Sequence, residues 1–298
     1  MPRVDGSLNI KGLERRFSVY IPKTVANRPP VLLALHGGKA RESMTNPRRG
    51  IIPGAEKYGY IAVFPYGIND GWEVGFTGER SVTGTDLAFL SQLIAFVVER
   101  FQADPTRVYM TGFSIGAMMT FRAGAYLSSQ IAGICPVNGA IGGRPTQLPP
   151  GCPLPPDAVQ LPDQVVVNDP VDAGARPVNV LIVHGAADTP EGGPNPKSVE
   201  KLQKFCGIGL AEARSLARND LPTSQALALW AQADGATEPV APELPEIPRG
   251  TQVRALRNPA NGYLAAAVVD PGRAHEWPSW DVVGLMWRFF ISTPARTV

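Results

Sequence analysis

Apolar positions along the chain fall into two patterns. Residues 16–21 alternate with period two, placing Phe17, Val19 and Ile21 on one side, and predict a half-exposed antiparallel edge strand. Residues 30–36 and 60–64 are instead continuous apolar runs, as expected of strands buried on both faces of a parallel sheet. Further strands are predicted over 107–111, 131–137, 178–184, 251–257 and 264–270. Helical spacing appears over 86–101, where Leu87, Leu90, Ile94, Val97 and Phe101 form one stripe and Thr85 is a candidate N-cap. It appears again over 115–127, 224–233 and 281–291. Strands alternating with helices imply crossover units, hence an α/β protein with a mostly parallel central sheet and helices on both faces.

Two segments interrupt the alternation. Residues 144–177 carry nine prolines and no helical or strand period, which predicts a long loop over the sheet. Residues 238–248 read as a second, polyproline-like excursion. Apolar strands resume after each, so the chain is expected to be one domain over 1–298 with loop insertions near 144–177 and 238–248. There are no internal repeats.

Composition narrows the class without changing the architecture. The 298 residues are 44% hydrophobic and 18% charged, enough for a sizeable core and unlike a disordered chain. A net charge of +2 with no basic block predicts neither a nucleic-acid nor a membrane surface, and no apolar run approaches spanning length. The three cysteines, Cys135, Cys152 and Cys206, lack zinc spacing and are too few for a disulfide framework. They are expected as buried thiols, with a Cys135–Cys152 pair as the alternative. The N-terminal residues have no apolar h-region, so no signal peptide is expected in the sequence as it stands.

The chemistry centres on Gly112-Phe-Ser-Ile-Gly116, which lies between the predicted strand at 107–111 and the helix at 115–127. The pentapeptide alone is a weak signal, but strand-turn-helix is the setting of a nucleophile elbow. Glycines at 112 and 116 permit a turn tight enough to hold Ser114 strained and exposed. A serine hydroxyl needs a base, and there are three histidines. His36 and His184 each end a predicted strand and precede glycine, which suits turn and packing roles. His275 lies in a loop beyond the last predicted strand and is the expected base. The acid should follow a strand between serine and histidine, and Asp188, just past the strand at 178–184, fits. Its expected task is to fix the His275 tautomer and stabilise the imidazolium. Asp234 and Asp270 are rivals by order alone.

For the oxyanion of an acyl-transfer intermediate, the expected donors are the backbone N–H of Ile115 and that of Gly38 in the Leu35-His-Gly-Gly38 loop, with Lys39 the alternative by one register. Trp72 and Trp277 are candidates for the wall of an acyl or aromatic pocket, plain loop packing being the alternative. His36, beside the oxyanion loop, is carried with them as a substrate-binding candidate. Trp230, at helical spacing with Leu227, is expected in the core.

Taken together, these segments resemble the polyhydroxybutyrate depolymerase/feruloyl esterase group of α/β-hydrolases, also called carbohydrate esterase family 1-like. The matching pieces are the strand at 16–21, the Leu35-His36-Gly37 loop, the helix start Asp86-Leu-Ala-Phe-Leu90, Thr111-Gly-Phe-Ser114 followed by Met118-Met119, the turn from His184 to Asp188, and His275-Glu-Trp277-Pro278. Where that family commonly has Ser-Asn-Gly-Gly at the elbow, this chain has Ser114-Ile-Gly-Ala117.

The resemblance implies an α/β-hydrolase fold and a serine esterase that works through an acyl-serine intermediate, with no metal and no organic cofactor. The implied substrate is a short-chain or hydroxyalkanoate ester, small or polymeric, with feruloyl or acetyl esters on plant polysaccharide as the alternative. It also implies a secreted mature protein, a cytoplasmic one remaining the alternative. A prolyl-oligopeptidase-type peptidase shares the elbow, but no propeller domain is present. The remaining class is a binding protein with a silenced triad. The 144–177 loop is expected to border the acyl pocket. The oligomeric state is not legible in the sequence.

Overall fold

The computed structural model describes residues 3–38, 43–74, 85–144, 147, 149–152, 177–188, 193–241 and 247–296. The chain opens with a hairpin, β1 (Arg3–Ile10) and β2 (Leu13–Tyr20), followed by β3 (Val31–Leu35), α1 (Ile51–Tyr58), β4 (Ile61–Pro65) and α2 (Asp86–Arg100). The middle of the chain supplies β5 (Val108–Phe113), α3 (Ile115–Tyr126), β6 (Gly133–Val137), the short β7 (Gly142–Arg144) and β8 (Asn179–Gly185). Next come β9 (Gly193–Pro194), α4 (Pro196–Cys206), α5 (Leu210–Leu216), β10 (Asn219–Asp220) and α6 (Thr223–Ala233). The chain closes with β11 (Glu238–Pro239), β12 (Gln252–Arg257), β13 (Leu264–Asp270) and α7 (Val282–Ser292).

One ten-stranded sheet in the order β1-β2-β4-β3-β5-β6-β8-β13-β12-β11 carries the molecule. Its centre, from β4 to β13, is parallel, and the β1–β2 and β12–β11 pairs attach antiparallel at the two ends. The central strands are buried along their whole length because helices cover both faces. One core cluster joins α2, α3 and α6 to one face, with Phe89, Leu93, Phe121 and Trp230 among its largest members. The other lies under α1 and α7, where Trp287 and Phe290 pack on Tyr60 and Tyr109. Trp230, expected in the core, is 1% exposed.

Two expectations are corrected here. The strand predicted at 16–21 is not an edge, since β2 pairs with β1 on one side and β4 on the other. Its polar Ser18 is as buried as its apolar neighbours, and it hydrogen-bonds the Tyr66 hydroxyl at 2.8 Å. Cysteine pairing also differs. Cys152 is bonded to Cys206 at the end of α4, while Cys135 is a buried free thiol on β6. Cys135, on a strand flanked by β5 and β8, is 0% exposed in the core cluster under α7, out of reach of a surface loop. The Cys152–Cys206 bridge spans 54 residues, a closure that stabilises by restricting the unfolded chain, on the order of 4 kcal/mol. Of the two predicted loops, 153–176 and 242–246 lie outside the described residues, and Glu238–Pro239 pairs with β12.

Candidate active site

Parallel strands all point their carboxyl ends at one rim, and the loops leaving that rim bring together residues far apart in sequence. Ser114 sits between β5 and α3 with φ +57 and ψ −121, a conformation that costs a non-glycine residue about 1–3 kcal/mol. The crowding that enforces it is visible at the flanking glycines. A Cβ on Gly112 would lie 2.3 Å from the Gly116 carbonyl oxygen, and one on Gly116 would lie 2.4 Å from the His36 carbonyl oxygen. The turn therefore closes only with glycine at both places.

His275, from the loop after β13, meets this serine with Nε2 2.8 Å from Ser114 Oγ. Its Nδ1 stands 2.8 Å from Oδ2 of Asp188, in the short turn after β8. Three segments chosen on order and residue type thus converge at hydrogen-bond distance. The rivals lie elsewhere. Asp270 is 3.5 Å from Arg273 and accepts from Trp280 Nε1 at 3.1 Å, while Asp234 receives the Val178 N–H at the opposite, amino end of β8.

Asp188 is pulled in two directions. Burial raises its pKa, but its contacts with His184 and His275 outweigh that and hold the carboxyl well below the usual carboxylate range. His184 Nε2 is 3.4 Å from Oδ2, long for a hydrogen bond, so the His275 contact is the stronger one. Asn138, at the end of β6 with φ +51, donates through Nδ2 to Asp188 Oδ2 at 2.9 Å and to the Ala274 carbonyl at 2.8 Å. It thereby ties the acid to the histidine loop. Behind it the buried Arg273 donates from Nη1 to Asn138 Oδ1 and, at 2.6 Å, to the Glu276 carbonyl. Burial lowers the Arg273 pKa, and the carboxylates of Asp270, Glu276 and Asp188 pull it back. Asn138 and Arg273 were not singled out from sequence. The only available signal for Asn138 was a polar residue ending an apolar strand next to the nucleophile strand.

The loop after β3 runs alongside the elbow. A Cβ on Gly37 would be 3.4 Å from Ser114 Cβ, and one on Gly38 would be 3.9 Å from Ile115 Cγ2. Gly38 thus stands next to Ile115, whose N–H, first in α3, has no intrahelical acceptor. Lys39 lies outside the described residues. Trp72 and His36 take the packing roles and not the substrate-binding ones. They are 0% and 1% exposed and have no surface to offer a substrate. Trp72 Nε1 donates to the His36 carbonyl at 2.9 Å, the two rings pack at 5.1 Å, and His36 Nε2 accepts the Gly67 N–H at 2.9 Å. Both residues brace the Gly37-Gly38 loop from beneath. Trp277, at 9% exposure, packs edge-on to Phe113 and lines a cleft of about 260 Å³ together with Arg49 and Trp280.

The mostly parallel sheet with helices on both faces is the α/β-hydrolase fold. An acetyl xylan esterase from Aspergillus awamori superposes with a TM-score of 0.56 over 96% of this chain and 99% of its own, at 16% identity, a likeness of fold. Among curated sequences, a putative esterase, NocK, of Nocardia uniformis subsp. tsuyamanensis is 27% identical over 84% of this chain and 65% of its own length. Feruloyl esterase B of Talaromyces funiculosus is 33% identical over 36% of this chain and 32% of its own. An acetylxylan esterase of Coprinopsis cinerea is 30% identical over 53% and 42%. The matches span less than two thirds of each of these three relatives. No protein-family model matches the chain. The sequence relatives are thus esterases of the group that the motifs resemble.

Proposed function

We propose that the protein is a carboxylic ester hydrolase with Ser114 as nucleophile, His275 as base and Asp188 as its orienting acid. The observation that carries this reading is the pair of 2.8 Å contacts running from Ser114 Oγ through His275 to Asp188. In the reaction the Ser114 proton passes to His275 Nε2 as Oγ bonds to the ester carbonyl carbon, and the carbonyl oxygen becomes an oxyanion held by the N–H groups of Ile115 and Gly38. Collapse breaks the bond to the alcohol oxygen, which leaves with the proton from His275. Water repeats the sequence on the acyl-serine, releases the acid and restores the hydroxyl. Asp188, ionised throughout, keeps the proton on Nδ1 and offsets the imidazolium charge.

The substrate in this reading is a short-chain or hydroxyalkanoate ester, which the motif resemblance supports. Acetyl or feruloyl esters of polysaccharide are the second reading, favoured by the activities named for the fungal relatives. Turnover of p-nitrophenyl esters of graded acyl length, a feruloyl ester and a polyhydroxybutyrate film by wild type and Ser114→Ala tests both. Loss of the nucleophile should lower kcat by roughly 10⁴-fold or more. A serine variant as active as wild type would end the hydrolase reading, and the preferred ester decides between the substrate classes.

A further inference from the structure

The rim beside the triad carries a cation that the proposed mechanism leaves unused. Arg49 ends the 3₁₀ turn Pro47–Arg49, and its guanidinium lies 4.9 Å over the Phe113 ring and 5.4 Å over the Trp277 ring. The same Phe113 ring packs against the His275 imidazole at 5.2 Å, so cation and base flank one aromatic side chain. Arg49 is half-buried. Burial lowers its pKa from the ordinary value, and no carboxylate among the described residues acts to raise it again. It opens onto the cleft of about 260 Å³ that Trp277 and Trp280 also line. Exposed Arg48 adds a second positive charge there, and the one carboxylate among the described lining residues, Asp281, is engaged by the Gly284 N–H at 2.8 Å.

A guanidinium stacked on aromatic faces keeps its in-plane N–H donors available, and these match a carboxylate bidentately. Partial removal from water strengthens such a contact relative to a fully solvated cation. The reaction fixes which half of the substrate would meet it. The leaving oxygen must face His275 Nε2 to take its proton, so the alcohol half lies along the His275, Phe113 and Trp277 side. The carbonyl oxygen points instead toward Ile115 and Gly38. We propose that Arg49 is a specificity residue that binds a carboxylate carried on the alcohol half of the ester, which makes esters of hydroxy acids, such as short oligoesters with a free acid end, the substrate class. This rests on the esterase reading above.

The test compares acetate release from 3-acetoxybutyrate with release from its neutral isostere 3-acetoxybutyramide, using the full chain as wild type, Arg49→Gln, Arg49→Lys and Ser114→Ala. The readout is the ratio of kcat/KM on the two esters, in which any general loss of activity cancels. Wild type should favour the carboxylate about tenfold or more, a preference that declines as salt is raised. Arg49→Gln should bring the ratio near one, and Arg49→Lys, which keeps the charge but loses the planar two-donor fork, should keep only part of it. A wild-type ratio near or below one, or a ratio unchanged in Arg49→Gln, overturns the proposal. So does a wild-type ratio that salt leaves unchanged, or a lysine variant with the full wild-type ratio, because bare charge without the planar fork would then suffice. Should Arg49→Gln not fold, the lysine variant and the salt series decide. Turnover of p-nitrophenyl acetate with neither hydroxybutyrate ester hydrolysed overturns this inference alone. No ester hydrolysed above the Ser114→Ala level overturns the esterase reading and this inference together.

Discussion

Asp188 accepts from two directions at one oxygen, His275 Nδ1 at 2.8 Å and Asn138 Nδ2 at 2.9 Å, and the second contact sets where the first can form. Because Asn138 also holds the Ala274 carbonyl, the residue before the base, its loss frees both partners to drift. Asn138→Ala should lower kcat about 10- to 100-fold with little change in KM, since misplacing a catalytic group costs rate more than binding. Asn138→Asp sets a carboxylate against a carboxylate and should be at least as damaging. Steady-state kinetics on a p-nitrophenyl ester decide, and an alanine variant with wild-type kcat would remove Asn138 from the positioning role. The pH behaviour of Asp188 follows from its lowered pKa. Such a group contributes stability above its ordinary range and loses it only as pH falls through the lower folded value. The acid limb of the rate profile is therefore not the titration of Asp188.

Between elements, Asp234 joins the end of α6 to the start of β8 by accepting the Val178 N–H at 3.0 Å, while its other oxygen, Oδ2, is buried with no hydrogen-bond partner among the described residues. Burial raises its pKa to about 7, partly offset by the Val178 bond. The sign runs against the usual carboxylate. From about pH 4 to 7 the folded protein holds a proton that the unfolded chain has released, so the contribution of this group is full at low pH and lost as pH rises through 7. Asp234→Asn keeps the acceptor and abolishes the titration. Between pH 4 and pH 8 the stability difference should move in favour of the variant by ~3 kcal/mol, read from urea unfolding at each pH. A difference constant with pH would mean that Asp234 is ionised in the fold.

The same scale shows what was legible in the sequence. Buried parallel strands announce themselves as apolar runs, and the helices at Asp86–Arg100 and Val282–Ser292 as stripes, so the sheet centre is legible, and with it the strand ends whose loops bring Ser114, Asp188 and His275 within hydrogen-bond distance. Helix α1 could not. Ile51–Tyr58 contains Pro53 and Gly54, and a Cβ at Gly54 would lie 2.5 Å from Tyr60 Oη and 2.6 Å from Val283 Cγ1. Packing, not local propensity, makes that turn helical. Helix α4 was missed despite its signals, the Asn195 cap, Pro196 in the first turn and Gly207 at the end, because its face toward the core is narrow. Trp72 falls to the loop-packing alternative, because aromatic character says nothing about which side of a loop a ring occupies.

Over the whole molecule, the antiparallel N-terminal hairpin has to be fastened to a parallel core it does not continue, and a buried charge does this. Arg15 on β2 pairs with Asp86 at the start of α2, both side chains 0% exposed, and reaches Thr85 Oγ1 at 2.9 Å with the Phe89 ring 4.4 Å below. Asp86 Oδ2 accepts the Glu73 N–H at 2.6 Å, next to the Trp72 that braces the Gly37-Gly38 loop. One ion pair therefore links the hairpin, a core helix and the support of the site. Removing Arg15 leaves the Asp86 charge buried beside the Glu73 carboxylate without this cation, so Arg15→Met should destabilise by about 3–5 kcal/mol. Adding Asp86→Asn removes that stranded charge while keeping an acceptor for Glu73, and the double variant should recover at least half of the loss. Urea unfolding of the two single variants and the double variant measures the coupling. If the two losses simply add, the hairpin is held by its strand pairing to β4 and by apolar contacts instead, and the ion pair is incidental to how the parts of this protein stay together.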